Sequence, residues 1–138
     1  MKTLGIQGIA VIVSQKQVDA LDRKALEKFV DQLMGYLRSK QTIWVARYPD
    51  EELRHKILWG IARARTHGFT GASDIAKFVG LVFRVAPNFD EYPSIDALLS
   101  RTDVPPEERA KMLFTDIPPE HWEAARLRYD PAAWDVED

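Results

Sequence analysis

The chain has 138 residues, of which 46% are hydrophobic and 29% are charged. This length is typical of one domain and is sufficient to bury a core. The absence of cysteine excludes a disulfide framework and a thiolate metal site. The formal net charge is −2, whereas a dedicated nucleic-acid-binding domain usually carries a clear basic excess. No apolar run approaches the roughly 20 residues that a membrane span needs. We therefore expect a single cytoplasmic domain, residues 1–138, that binds neither nucleic acid nor a membrane.

The first 13 residues contain glycine and then a run of β-branched residues, Ile9, Val11, Ile12 and Val13. Such residues favour extended structure, so we expect an extended or loosely ordered start. The run is short and lacks the small-residue cleavage site of a signal peptide. An isolated strand has a free edge that can pair with another molecule. This segment is therefore the expected place for any homo-oligomer contact.

A helical pattern begins near residue 15 and continues to about residue 39. Its apolar residues recur at steps of three and four, the spacing of one helix face: Leu26, Phe29, Val30, Leu33 and Leu37. Gly35 inside this helix costs about 1 kcal/mol relative to alanine, so we expect a neighbour that approaches closely there. The connector that follows, residues 40–48, contains Trp44. It is expected to cover the end of a helical bundle or, alternatively, to form an exposed apolar loop.

The next helix is predicted over residues 50–67. Pro49 suits the first helical turn, and the three acids that follow it complement the positive end of the helix dipole. Gly68 is a good left-handed end for this helix. Trp59 lies about 150° away from the apolar face of the helix. We expect a second element to cover Trp59, because a large aromatic residue usually finds burial; the alternative is display to a partner.

Residues 71–86 form the most apolar helix of the chain, and Thr70 is its expected cap. Apolar residues cover most of its circumference and leave only the strip of Lys77, Gly80 and Arg84 for water. A helix that is apolar nearly all round is a core helix, packed on several sides by other elements. The short link to the preceding helix makes these two helices antiparallel neighbours.

The C-terminal third contains three shorter helical patterns, at about residues 94–101, 106–114 and 119–129, separated by prolines. An acidic tail, residues 130–138, ends the chain and contains Trp134. The predicted fold class is therefore all-α. We expect a compact bundle of three longer helices, 15–39, 50–67 and 71–86, with the short C-terminal helices around it.

The sequence contains no pattern that indicates catalysis. The three histidines, His55, His67 and His121, have no partner at a zinc-binding spacing. There is no glycine-rich phosphate loop and no nucleophile elbow. The basic residues around Arg63 are expected to be ordinary solvated residues. We therefore predict no catalytic, cofactor-binding or metal-binding residue and no enzymatic activity.

Aromatic residues in connectors and at helix surfaces are the remaining candidates for function. Aromatic side chains anchor interfaces because they bury much area with few rotatable bonds. The candidates for protein binding are Trp44, Tyr48, Trp59 and Trp134. Aromatic residues also plug the ends of helical bundles, and this alternative stays open for Trp44 and Trp134. For Phe89, plugging is the favoured interpretation.

The order of these features resembles a known group of proteins. The segments are FVDQLMGYLRSK, then Tyr48-Pro49-Asp50-Glu51-Glu52-Leu53, then ILWGIARARTHGFTGASDIAKFVGLVF, and finally Pro87-Asn88-Phe89-Asp90. Together, roughly residues 12–99 resemble small α-helical bacterial proteins of type VI secretion effector gene clusters. The matching residues are mostly core and cap residues, which indicate a shared fold better than a shared activity.

The resemblance implies a non-enzymatic co-adaptor that binds a secretion effector, its adaptor chaperone, or both. Two alternatives stay open. The same gene clusters also encode immunity proteins, which bind and neutralise a toxin; a strongly acidic surface would favour that role, and the balanced charge here favours the adaptor. A small enzyme without a recognisable motif is the third hypothesis, and a pocket that holds a perturbed carboxylate or histidine would indicate it.

Overall fold

The fold was determined as a computed structural model that describes residues 23–135. Within these residues, seven α-helices follow one another: α1 (Arg23–Lys40), α2 (Thr42–Val45), α3 (Asp50–Thr66), α4 (Ala72–Arg84), α5 (Pro93–Leu99), α6 (Pro106–Thr115) and α7 (Pro119–Leu127). Short 3-10 turns occupy Phe89–Glu91 and Pro131–Asp135. The described residues contain no strand, and the predicted compact all-α fold is confirmed. The predicted start at residues 1–13, its homo-oligomer contact and the helix portion 15–22 lie outside the described residues.

Prolines mark the beginnings of four helices. α5, α6 and α7 each begin on a proline, and Pro49 immediately precedes α3. Proline suits this place because its fixed φ is helical and its missing N–H would be unpaired there anyway. These four helices consequently begin within one residue of their predicted starts. Thr70 was the wrong cap for α4, because the cap position is occupied by Gly71.

A tight turn joins α3 to α4 and makes them antiparallel neighbours. The N–H of Phe69 donates to the carbonyl of Ala64 at 3.3 Å, and the N–H of Gly68 donates to the carbonyl of Arg65 at 2.9 Å. This pair of hydrogen bonds is the Schellman arrangement, which needs a left-handed residue after the helix. Gly68 supplies it with a φ of +91°. The predicted helix end at Gly68 is therefore explained by its backbone geometry.

α4 lies at the centre of the described fold, as the sequence predicts. It packs against α3, α2 and α6, and most of its apolar side chains are buried. Lys77 is exposed and Arg84 is half-buried, but Gly80 is buried beneath the side chain of Gln41. A Cβ atom on Gly80 would lie 3.0 Å from Nε2 of Gln41. One residue of the expected water-facing strip is therefore a packing contact.

Three other regions have structural features that the sequence did not predict. The connector contains a helical turn, α2, which buries Val45 and leaves Ile43 78% exposed. Among residues 23–135, no atom outside α1 itself lies within 4 Å of where a Cβ on Gly35 would be, so the described part of the chain does not make the expected close approach. In the C-terminal tail, Pro131–Asp135 forms a 3-10 turn and carries Trp134 onto Trp59 of α3.

Arg109 is a buried cation that joins three parts of the chain. Its Nη1 donates to the carbonyls of Leu99 at 2.6 Å and His67 at 3.0 Å, and its Nε donates to the carbonyl of Val104 at 3.2 Å. The guanidinium also lies 5.7 Å from the ring centroid of Phe69. Arg109 thus fixes the α3–α4 turn to the α5–α6 loop.

None of the helices in residues 23–135 combines the length and apolar character needed to cross a lipid bilayer.

Candidate protein-binding surfaces

Three of the four predicted binding residues lie in one cluster beside α3. The ring centroids of Trp59 and Trp134 are 4.9 Å apart, and that of Trp134 is 5.7 Å from Phe83. Tyr48 meets Phe83 edge-on at 6.1 Å. Such tilted pairs are favourable beyond the area that they bury. Trp134 therefore covers Trp59, and both side chains are half-buried.

Lys56 occupies the centre of this aromatic cluster. Its Nζ lies 4.4 Å from the ring centroid of Trp134 and 5.2 Å from that of Tyr48. The ammonium also pairs with Glu52 at 3.5 Å, one helical turn earlier on α3. Its side chain is only 17% exposed, which strengthens its attraction to the two rings because less water competes. From the sequence, Lys56 was one of the basic residues around Arg63 that were expected to be ordinary solvated residues, so this role was not predicted. Its spacing of three residues from Trp59 was the available signal.

Tyr129 closes the cluster from the C-terminal side. The Nε1–H of Trp134 donates to the hydroxyl oxygen of Tyr129 at 3.1 Å, which satisfies the only polar group of that indole ring. Burial raises the pKa of Tyr48 above its usual value, and the neighbouring Tyr129 raises it further. Tyr48 therefore stays neutral across the physiological range. The tail is held by ring contacts, by the hydrogen bond from Trp134 to Tyr129, and by a hydrogen bond from the N–H of Asp130 to Oδ1 of Asn88 at 3.1 Å. The sequence alone did not indicate these contacts.

An open cleft of about 750 Å³ lies along this cluster, and we call it the tryptophan cleft. It combines two indole rings with two exposed acids and a histidine. Its lining is Pro49, Glu51, Glu52, His55, Lys56, Trp59 and Trp134. Aromatic rings beside carboxylates suit a cationic or mixed apolar and basic side chain, because both the ring faces and the carboxylates attract positive charge.

Trp44, the fourth predicted residue, lies apart from the tryptophan cleft. It is 37% exposed, and the guanidinium of Arg126 on α7 lies 5.7 Å from its ring centroid. Arg126 also donates to the carbonyl of Arg84 at 3.3 Å, so Trp44 lies close to the C-terminal end of α4. Ile43 and Leu127, next in sequence to Trp44 and Arg126, are 78% and 80% exposed. The structure therefore divides the predicted binding residues between two places.

A buried carboxylate organises the other end of α3. Asp90 is 2% exposed, and its Oδ2 accepts hydrogen bonds from Arg63 Nε at 2.7 Å and from His67 Nε2 at 2.8 Å. Burial alone would raise the pKa of Asp90, but the hydrogen bonds and charges of His67 and Arg63 lower it below its usual value. The expectation that Arg63 is an ordinary solvated residue is wrong, because it is the main partner of this carboxylate. The sequence of α3 could not identify Asp90 as the partner of Arg63, because Asp90 lies after α4 in the chain.

The remaining histidine contact is a hydrogen bond between His121 Nδ1 and Ser94 Oγ at 2.9 Å. Ser94 follows Pro93 in the first turn of α5, and the ring of Tyr92 covers His121 with centroids 5.6 Å apart. A nucleophilic serine needs its histidine oriented by a third group, and within residues 23–135 no carboxylate contacts His121. The same residues contain no group of three or more potential metal ligands.

No protein-family model, curated protein or solved structure matches this chain.

Proposed function

We propose that this chain is a non-enzymatic protein-binding accessory, of the co-adaptor type that helps to load a type VI secretion effector. The supporting observation is the tryptophan cleft, in which Trp59 and Trp134 line an open space beside exposed carboxylates. Aromatic residues that are half-exposed in a cleft are typical anchors for a partner's side chain. The secretion role rests on the resemblance in sequence, and the cleft supports protein binding in general.

The mode of binding follows from the chemistry of the cleft. Glu51 is exposed in the first turn of α3, and Glu52 is already paired with Lys56. Within residues 23–135, Glu51 forms no ion pair, so it is the cleft carboxylate that can attract a basic group of the partner. The two indole rings line the same cleft and can contact the aliphatic part of the same side chain. An arginine or lysine of the effector or its chaperone fits this combination.

An immunity protein is the second candidate function. The same carboxylate and indole rings could occupy the basic active-site cleft of a toxin, because complementary charges direct such complexes. The two roles differ in what is recovered with the protein and in whether the partner stays active. A co-adaptor is recovered with a chaperone and an effector, whereas an immunity protein is recovered with one toxin that has lost its activity.

The test is affinity purification of the tagged full chain from its native bacterium, followed by mass spectrometry. We expect Glu51→Lys to reduce recovery of the partner strongly. Glu107→Lys is the matched control. Glu107, like Glu51, is exposed in the first turn of a helix whose N-cap residue is a proline, but it lies outside the tryptophan cleft. Both substitutions remove a similar favourable interaction with a helix dipole, about 0.3–1 kcal/mol, so their stabilities should match.

Trp44→Ala is the corresponding variant for the other candidate surface, the one that contains Trp44. It should weaken capture without loss of folding, because the Trp44 side chain is already 37% exposed. Equal recovery with wild type, Glu51→Lys and Trp44→Ala would refute both surfaces as the binding site. Recovery of no specific partner would refute the accessory role itself.

A further inference from the structure

A second groove runs along the outer face of α4 and shares no lining residue with the tryptophan cleft. Its floor is a stripe of small α4 residues, Ser73, Ala76 and Gly80, and α1 and α6 form its walls. The space between the walls is about 750 Å³. We call it the α4 groove. Small side chains on its floor allow the backbone of an occupant to approach α4 closely, as helices do when they pack.

The walls of the α4 groove carry two aromatic residues that the fold leaves half-exposed. Tyr36 on α1 and Phe114 on α6 are each 48% exposed, and both line the groove. A single exposed apolar residue is common on protein surfaces, but two aromatic residues on opposite walls of one groove form a continuous apolar contact area. An occupant with apolar side chains would gain most of its binding energy between them.

The charged residues that line the α4 groove are all positive. Lys77, Arg84 and Lys111 line it, and no acidic residue does. Within residues 23–135 none of these three cations forms an ion pair. Asp74 is near enough to Lys77 to interact with it electrostatically, but it is not part of the lining. Three cations that form no ion pair within residues 23–135, around a floor of small residues, complement an acidic occupant.

Gln41 provides an independent sign that something is missing from this groove. The residue is 8% exposed, and its side chain lies over Gly80 in the lining. Its Oε1 is buried and accepts no hydrogen bond from any residue in 23–135. Buried polar atoms are nearly always paired, because leaving one unpaired costs stability. Because Oε1 is shielded from the groove in this conformation, the Gln41 side chain has to turn toward the groove before an occupant can donate a hydrogen bond to this oxygen.

We propose that the α4 groove binds an acidic amphipathic helix of another protein. Its apolar side chains pack between Tyr36 and Phe114, and its carboxylates pair with Lys77 and Lys111. One side-chain donor bonds Oε1 of Gln41 after the Gln41 side chain turns toward the groove. This is the helix-in-groove mode of recognition. The proposal goes beyond the tryptophan cleft, which favours basic partners. Two surfaces that prefer opposite charges would let one chain hold two different proteins.

The test begins with a library of random 16-residue peptides displayed on phage and selected on the full chain. We expect enrichment of peptides with acidic residues and apolar residues at helical spacing. Fluorescence anisotropy then compares their affinities. The double variant Lys77→Glu/Lys111→Glu should bind them at least about tenfold more weakly. The control Arg47→Glu/Arg128→Glu reverses two exposed cations outside the groove and should stay within about twofold of wild type.

The role of Gln41 is tested by Gln41→Met, which removes the unpaired oxygen while keeping a similar volume. The variant should be at least as stable as wild type in urea but bind the selected peptides several-fold more weakly. Unchanged binding would show that the oxygen is not used and would overturn that part of the proposal. Failure to enrich acidic peptides, or equal binding by the Lys77→Glu/Lys111→Glu variant, would overturn the whole proposal.

The identity of the occupant is tested by placing the photoreactive residue p-benzoylphenylalanine at position 114 of the full chain. With a selected peptide present, we expect a cross-link from this position to the peptide. A cross-link to residues 1–22 of the same chain would instead assign the groove to that segment. A cross-link to a second copy, accompanied by a dimer in sedimentation experiments, would assign it to self-association. Both of these results would overturn the proposed partner.

Discussion

Replacing Asp90 with asparagine should destabilise the protein more than any substitution of a surface charge. The carboxylate is 2% exposed and accepts three hydrogen bonds, two from Arg63 and one from His67. Asparagine keeps the shape but loses the charge, and its NH2 group must face a donor. Breaking a buried ion pair on one side costs about 3–5 kcal/mol. Because Arg63 is 25% exposed and keeps Glu91 at 3.2 Å, we expect the lower end, about 3 kcal/mol.

The measurement is urea unfolding of wild type and Asp90→Asn at a series of pH values. The folded-state pKa of Asp90 lies below its usual value, so the carboxylate stabilises the fold above the pKa of the unfolded chain, about 3.9. This contribution is lost as the pH falls through the still lower folded-state pKa. The difference between the two proteins should therefore be constant above about pH 5 and shrink in more acidic solution.

The control for this prediction is Glu91→Gln. Glu91 also contacts Arg63, but its side chain is 63% exposed, and exposed ion pairs contribute only about 0–1 kcal/mol. The variant should therefore unfold at nearly the wild-type urea concentration. The reasoning would be refuted if Asp90→Asn cost less than about 1 kcal/mol, or if its effect did not change between neutral and acidic pH.

Three further substitutions test the packing. Gly35→Ala should stabilise the protein by about 0.5–1 kcal/mol in urea unfolding, since the site is helical and open, and a loss would contradict the open space seen there. Gly60→Ala should instead cost about 1 kcal/mol of stability, because the new Cβ would lie 3.3 Å from Cγ2 of the fully buried Val79. A gain in stability equal to that of Gly35→Ala would show that the Val79 side chain can move aside. Arg109→Met should cost about 3 kcal/mol and lower the thermal midpoint, because three carbonyl groups lose their donor, and a neutral result would mean that water replaces it.

Much of the helical framework follows from short stretches of sequence. The starts of α3, α5, α6 and α7 were predicted to within one residue because proline acts locally, through its own ring and its missing N–H. The apolar circumference of α4 predicted its central place, since a helix without a polar face must be covered. Gly68 was predicted to end α3 because only a glycine adopts its left-handed φ without strain.

The candidate surfaces could be predicted only in part. The sequence identified Trp59 and Trp134 as aromatic candidates, but not that one covers the other. Nothing in the connector indicated that the side chain of Gln41 would lie over Gly80 on α4. Lys77 was expected in water, and it is exposed, but its neighbours across the groove on α6 were unknown. These contacts depend on how helices distant in sequence pack, which periodicity does not report.

The sequence by itself thus determined where the helices other than α2 lie, where most of them begin, and which of them is central. The physical reason is that caps, turns and helix faces are set by residues within a few positions of one another. Tertiary structure alone decided that Asp90 pairs with Arg63, that Trp134 covers Trp59, and which cations line the α4 groove. Those pairings arise from the path of the whole chain, because the energy of a charge or a ring depends on neighbours brought to it by packing.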